Sequence, residues 1–324
     1  MAALRVGTRG SQLALHQARV VASLLKERTG TDCEIVVIKT SGDRLAEAPL
    51  AQIGGKRLFV KEIEDALLEK TIDLAVHSSK DMPVVLPDGL EVGGVLPREE
   101  PNDAIVLPGP PPETLGSLEA IVAHLGQSPR IGTSSVRRTA QLTRILPGAR
   151  FLPIRGNLDT RLRKLDAGEF DAIVLASAGL RRLDRAARIS ATLPIPACIP
   201  APGQGIIAVE MRSGDDSLGR LLARIDDRSA AVALTAERAV VRRLGGGCQM
   251  PIGAYAAVRQ STLDLTAVVV SLDGARAVRA EASGSTDEAL ALGAGVAERL
   301  LEQGASEILS DVQQTQAAVE GLQP

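Results

Sequence analysis

Aromatic residues are nearly absent from this 324-residue chain: Phe59, Phe151, Phe170 and Tyr255 are the whole set, and there is no tryptophan. That scarcity argues against the stacking platforms on which single-stranded nucleic acids are held. A net charge of −2 likewise provides no global basic field for nucleic acid or a membrane surface. Cysteine is also sparse. Cys33, Cys198 and Cys248 lie far apart with no Cys-x-x-Cys spacing, so neither a zinc site nor a disulfide framework is indicated, and no metal site is expected. Three free thiols fit a reducing compartment. The chain enters the apolar run Leu4-Arg5-Val6-Gly7 almost at once, and no apolar stretch reaches the length of a membrane span. A cytoplasmic protein is expected.

Lysine is the third scarcity. Only seven of the 37 cations are lysine, so thirty are arginine. Compositional bias of a genome produces such a ratio, but arginine is also the side chain that grips carboxylates and phosphates with two parallel hydrogen bonds. Position has to decide between the two.

Over the first two-thirds, strand and helix signals alternate. Leu4–Gly7, Cys33–Lys39, Ile72–Val76, Arg130–Gly132, Phe151–Ile154 and Ala172–Leu175 read as strands. Ser11–Arg28, Leu58–Glu69, Ser135–Leu146 and Leu158–Ala167 read as helices between them. This is the pattern of α/β domains with mostly parallel sheets. Two proline-rich passages, Leu96–Pro101 and Leu193–Pro202, read as paired hinges, with a return strand at Ile206–Glu210. The expected fold is therefore two clamshell-like α/β domains, of periplasmic-binding-protein type, joined by two hinges. Residues 1–98 with a return segment 200–220 form the first domain and 99–199 the second. From 221 to 324 the character changes to a small α+β domain. It has a helix Ser229–Leu244, strands Gly253–Val258, Leu263–Ser271 and Val278–Ala282, a two-residue hairpin turn at Asp273-Gly274, and a last helix Thr286–Glu302. The segment Arg44–Gly55 has no clear periodicity and reads as a lid.

Four polar clusters share one context, the end of a strand and the start of a helix: Thr8-Arg9-Gly10-Ser11, His77-Ser78-Ser79-Lys80-Asp81, Thr133-Ser134-Ser135-Val136-Arg137-Arg138, and Arg155-Gly156-Asn157. In open α/β sheets, ligands bind at such strand ends, beside free helix N–H groups. The helix dipole favours anions at these positions, so it does not explain Arg137, Arg138 and Arg161, which read as half of an anion site. Each buried charge-assisted hydrogen bond contributes about 1.5–3 kcal/mol, so a ligand with several carboxylates would need many. Asp81, set among these cations, is either their counter-ion or an acid catalyst that stabilises developing positive charge. His77, beside a buried strand, reads as a hydrogen-bonded structural imidazole. Cys248 lies in Leu244-Gly245-Gly246-Gly247-Cys248-Gln249-Met250-Pro251, where three glycines clear the approach to the thiol. It is either a nucleophile or attachment point, or a buried structural cysteine.

Assembled in order, these motifs resemble the porphobilinogen deaminase (hydroxymethylbilane synthase) family nearly end to end. To those above are added Gly54-Gly55-Lys56 with Leu58-Phe59, Thr160-Arg161, Ala178-Gly179-Leu180 and Pro202-Gly203-Gln204-Gly205. The resemblance implies a transferase of tetrapyrrole biosynthesis in which Cys248 carries a dipyrromethane cofactor by a thioether bond. Four porphobilinogen molecules add head to tail with loss of ammonia, and water releases 1-hydroxymethylbilane. It implies Asp81 as the catalytic carboxylate. Cofactor contacts fall on Ser11, Ser78, Lys80, Asp81, Thr133, Ser134, Ser135, Arg137, Arg138, Arg155 and Gly156. Substrate contacts fall on Arg9, Ser11, Arg155, Arg161, Arg182 and Gln204, and lid contacts on Asp43, Lys56 and Phe59. The partner is the small molecule porphobilinogen, with no nucleic acid and no membrane, and a monomer suffices. Ser79, Arg57, Gln52 and Gln12 depart from the family's usual residues, which bears on lid contacts and local packing. A non-catalytic clamshell that binds a polycarboxylate is the rival reading, and it gives Cys248 no task.

Overall fold

The computed structural model describes residues 3–41, 60–110, 117–247 and 249–321. The first sheet is built from β1 (Leu4–Thr8), β2 (Cys33–Val37), β3 (Leu74–Ser78) and β4 (Leu90–Val95), with α1 (Gln12–Thr29) and α2 (Lys61–Leu68) between strands. The chain then crosses to a second sheet made of β5 (Asp103–Val106), β6 (Arg130–Gly132), β7 (Arg150–Leu152), β8 (Ala172–Ala176) and β9 (Ala191–Thr192). Its helices are α3 (Leu118–Leu125), α4 (Val136–Leu142), α5 (Leu158–Asp166) and α6 (Ser177–Arg182). A second crossing returns the chain to the first sheet as β10 (Ile207–Arg212), followed by α7 (Asp216–Leu222).

The two sheets repeat one plan, with orders β2-β1-β3-β10-β4 and β7-β6-β8-β5-β9. In each, the strand that has just crossed from the other lobe enters the sheet interior against the direction of its neighbours: β10 is antiparallel to β3 and β4, and β5 to β8 and β9. The sheets are therefore mixed. Alternating helix and strand signals reveal strands but not their direction, and β4 and β5, which flank the first crossing, gave no separate signal. Each sheet is covered on both faces. Val6, Leu74, Val76 and Val209 pack beneath α1, while Ile72 and Ala75 pack against Ile63 and Leu67 of α2. Ile105, Ile131 and Leu142 occupy one face of the second sheet, and Val106, Ile173 and Leu165 the other.

The C-terminal part holds α8 (Arg228–Arg243), an antiparallel sheet of β11 (Ile252–Arg259), β12 (Thr262–Val270) and β13 (Ala277–Ser285), then α9 (Ala289–Glu302) and α10 (Ala305–Gly321). Helices α8 and α9 pack closely because Gly293 has no side chain: a Cβ there would lie 2.3 Å from the Ala236 carbonyl. The turn at Asp273-Gly274 exists, but the connection is longer than a two-residue hairpin. Ser271 closes it, donating its N–H to the Arg276 carbonyl (2.8 Å) and accepting from the Arg276 N–H at its hydroxyl (2.9 Å).

Glu237, in the middle of α8 and fully buried, ties this third part to both crossings. Its carboxylate accepts from Arg98 Nη2 at both oxygens (2.7 and 2.8 Å), from the Gly203 N–H (2.6 Å) and from the Ala256 N–H (2.8 Å). The crossings also touch each other directly, since the Glu99 N–H donates to the Gly205 carbonyl at 3.0 Å. Gly205, at φ +87°, is required there: a Cβ would lie 2.2 Å from the Glu99 carbonyl. Removing one member of a buried ion pair strands the other. Glu237→Ala is therefore expected to cost about 3–5 kcal/mol, read as a lowered midpoint in urea unfolding, with Glu237→Gln losing less.

Candidate active site

The site grows from strand ends. At the end of β1, buried Thr8 donates its hydroxyl to the Ala14 carbonyl (3.2 Å), and Ser11 caps α1 by accepting from the Ala14 N–H (3.3 Å). These bonds set the bend that carries Arg9. At the end of β3, Ser78 exchanges hydrogen bonds with the Gln17 amide (2.9 and 3.1 Å). A single 3₁₀ turn, Ser79–Asp81, follows and presents Lys80 and Asp81. The turn is anchored on the second crossing by the Ser79 N–H, which donates to the Ile206 carbonyl at 3.0 Å. Arg9, Ser11, Gln17, His77, Ser78 and Asp81 line one small cavity of about 60 Å³. A larger groove of about 620 Å³ runs between Val84–Val95 and α8 and contains none of these residues.

In the second lobe the hydroxyls shape the backbone. Thr133 accepts from the Ser135 N–H (3.2 Å), Ser134 donates to the Ile154 carbonyl (2.8 Å), and Ser135 caps α4. Arg137 and Arg138 turn inward, and the anion they hold is the protein's own Asp103, at the start of β5. Arg137 Nη2 reaches Asp103 Oδ2 and Arg138 Nη2 reaches Oδ1, each at 2.7 Å. Arg137 also donates to the Ile199 carbonyl (2.7 Å) and Arg138 to the Val174 carbonyl (2.9 Å). Gln204 joins them, donating to Asp103 (2.9 Å) and to the Pro101 carbonyl (2.6 Å). Burial alone would raise the Asp103 pKa, but the two guanidinium groups reverse the effect and hold it well below the usual carboxylate range. Cys198 lies against the same pair, 3.5 Å from Asp103; burial pushes its thiol up to about 12, so it is inert.

At the end of β7, Asn157 caps α5, and Arg161 folds back to donate Nε to the Gly156 carbonyl at 2.9 Å. That is its one side-chain hydrogen bond to a described residue, so its Nη groups remain available. Arg155, half-buried, has no hydrogen bond or ion pair among the described residues. Arg182 donates to the Gly205 carbonyl at 2.7 Å, and burial lowers its pKa. Burial, reinforced by Arg138 and Arg137, pulls Lys80 down to about 8 against the opposing charges of Asp81 and Asp103. Burial also pulls Arg161 down to about 10; Arg138 and Arg155 add to the fall, and Asp81 opposes it. Asp81 of the first lobe and Arg161 of the second thus feel each other across the cleft.

Arg9, Ser11, Ser78 and Asp81 thus share one cavity, Lys80 and Arg161 couple electrostatically to Asp81 and Arg155 to Arg161, and Arg137, Arg138 and Gln204 gather on Asp103. Asp43, Lys56, Phe59 and Cys248 lie outside the described residues. On either side of Cys248, the Met250 N–H donates to the Gly247 carbonyl at 3.0 Å. Sequence reasoning missed Asp103 and Glu237. Both carried a signal, a lone acid opening the apolar run Ala104–Leu107 and a lone acid on the apolar stripe of Ala233–Val241. Among the described residues, no group of His, Cys, Asp and Glu could hold a metal, and no helix is long and apolar enough to cross a membrane.

Two α/β lobes joined by two crossings, with two buried arginines gathered on one buried carboxylate, define a bilobal protein with a cationic cleft. The chain belongs to the porphobilinogen deaminase family: the porphobilinogen deaminase, dipyromethane cofactor binding domain matches residues 4–220, and the porphobilinogen deaminase C-terminal domain matches 231–302. Relatives of the same description include those of Desulforudis audaxviator (48% identical, 95% of this chain and 97% of the relative) and Moorella thermoacetica (45%, 99% and 100%). Among solved structures, the chain is similar to the periplasmic VFT2 domain of Bordetella pertussis BvgS (19% identical, TM-score 0.40, 69% of this chain and 86% of that one). It is also similar to an ancestral cationic amino acid solute binding protein (15%, TM-score 0.41, 69% and 88%).

The buried ion cluster gives a pH prediction. Asp103 has a depressed pKa in the fold, so its contribution is fully present above its unfolded value of about 3.9 and fades as pH falls through and below it. Asp103→Asn is expected to cost about 3–5 kcal/mol at neutral pH, because Arg137 and Arg138 are left buried without a counter-charge. The gap from the wild type should narrow below about pH 4 in denaturant titrations across pH.

Proposed function

We propose that Asp81, with the cations around it, carries out the porphobilinogen deaminase reaction of tetrapyrrole biosynthesis. The observation that carries this reading is the placement of one exposed carboxylate among cations drawn from both lobes: Lys80 beside it and Arg161 opposite. Loss of ammonia from the protonated aminomethyl group of porphobilinogen leaves a cationic pyrrole. Asp81 is suited to accept a hydrogen bond from that pyrrole N–H as the charge develops. The same carboxylate can then take up the proton released at the carbon where the new bond forms, which balances the charge of the step.

The residues fit a dipyrromethane. Arg155 and the Nη groups of Arg161 have no protein partner among the described residues, and the positive charge concentrated by burial calls for acetate and propionate groups. When attached through Cys248, the group supplies the nucleophilic carbon that is extended. Lys80, Arg155 and Arg161 hold its carboxylates, with Ser11, Ser78, Thr133, Ser134, Ser135 and the Gly156 backbone in support. Arg137 and Arg138, bound to Asp103, add their field from behind. Arg9, Arg155, Arg161, Arg182 and Gln204 serve the incoming porphobilinogen, and Asp43, Lys56 and Phe59 close over it. The reading divides the chain at 98/99, 199/200 and 220/221, and takes the protein as a cytoplasmic monomer.

Asp81→Ala is expected to lower porphobilinogen turnover by about 10²–10⁴-fold while the melting temperature stays near that of the wild type. Steady-state kinetics with a thermal melt checks this, and undiminished turnover would remove Asp81 from the chemistry.

A further inference from the structure

His77 and Glu210 form a buried dyad that the reaction chemistry above leaves without a task. On β3, His77 shares a face with Ala75; on β10, Glu210 is the register partner of Ala75, so both side chains project to the α2 side of the sheet. His77 Nε2 lies 3.0 Å from Glu210 Oε2. His77 is 5% exposed and Glu210 0%, and Glu210 Oε1 is buried with no hydrogen-bond partner among the described residues. An under-satisfied buried pair of this kind is a poor device for stability, since an apolar pair of similar volume would serve the fold as well or better. Its position suggests another task. His77 is the last buried residue of β3 before Ser78 and the Ser79–Asp81 turn, and it lines the small cavity together with Asp81. The turn is held from the same stretch of chain twice, by the Ile206 carbonyl at Ser79 and by Glu210 at His77.

We propose that Glu210, acting through His77, is a positioning residue that sets the turn carrying Lys80 and Asp81, so that the Asp81 carboxylate is referenced to the strand returning from the opposite lobe. This rests on the role given to Asp81. Glu210→Met keeps the volume and removes the hydrogen bond, while Glu210→Gln keeps an acceptor for the imidazole.

The test is kcat, KM for porphobilinogen and melting temperature for both variants beside the wild type and Asp81→Ala. Glu210→Met, which leaves His77 Nε2 buried without its partner, is expected to fold with a somewhat lower melting temperature, to lose about 10- to 100-fold in kcat well below that midpoint and to keep KM within about threefold, whereas Glu210→Gln stays within about threefold of wild-type kcat. Wild-type kcat in Glu210→Met overturns the proposal, as does a kcat loss in both variants that follows a fall in melting temperature. Should Glu210→Met fail to fold, His77→Leu reads the same quantities from the other partner, and wild-type kcat there overturns it equally. A wild type that does not consume porphobilinogen, or an Asp81→Ala that matches it, defeats the assignment of function instead.

Discussion

Asp103 is the point on which the cleft is built. Fully buried, it stands at the start of the strand that first enters the second lobe, and it receives Arg137, Arg138 and Gln204 at once. Those three come from the first turn of α4 and from the second crossing. One carboxylate thereby fixes the opening of the second sheet, the helix that faces the cleft, and the passage by which the chain returns. Two guanidinium groups and one carboxylate leave a net positive charge in a place with little water. Burial depresses Lys80 and Arg161, and the nearby Arg138 adds to the fall in both. The positive charge of the cleft is thus a consequence of how its back wall is held together.

The two crossings are joined by a second constraint of the same kind. Glu237 reaches from α8 to Arg98 and to the Gly203 N–H, so the third part of the chain grips both connections between the lobes. Cys248, the attachment point in the proposed function, follows the helix that carries Glu237 in the sequence. Each of the three parts has its own core, and smaller apolar clusters span their junctions, Ala208 with Leu234 and Ala140 with Val268.

Much of this was readable from the chain. Ser11, Ser135 and Asn157 announce helix starts by the chemistry of N-capping, and the polar clusters after apolar runs mark the strand ends that face the cleft. The direction of Arg137 and Arg138 was not readable. Local sequence makes them first-turn cations facing outward to a ligand, whereas their partner lies 34 and 35 residues away and turns them inward. The reversal of β5 and β10 was hidden for a similar reason: periodicity reports which face of a strand is buried and is silent on its direction. His77 could be read as structural, but its partner Glu210 lies 133 residues on and becomes a neighbour only through the return strand.

In the proposed function, this cationic cleft serves a covalently attached, carboxylate-rich primer held by Cys248. Intact-mass measurement of the purified protein beside Cys248→Ser tests it most directly. An excess mass of two condensed pyrrole units in the wild type, absent from the variant, is the predicted result. An unmodified wild type that also gains no mass when incubated with porphobilinogen would contradict it.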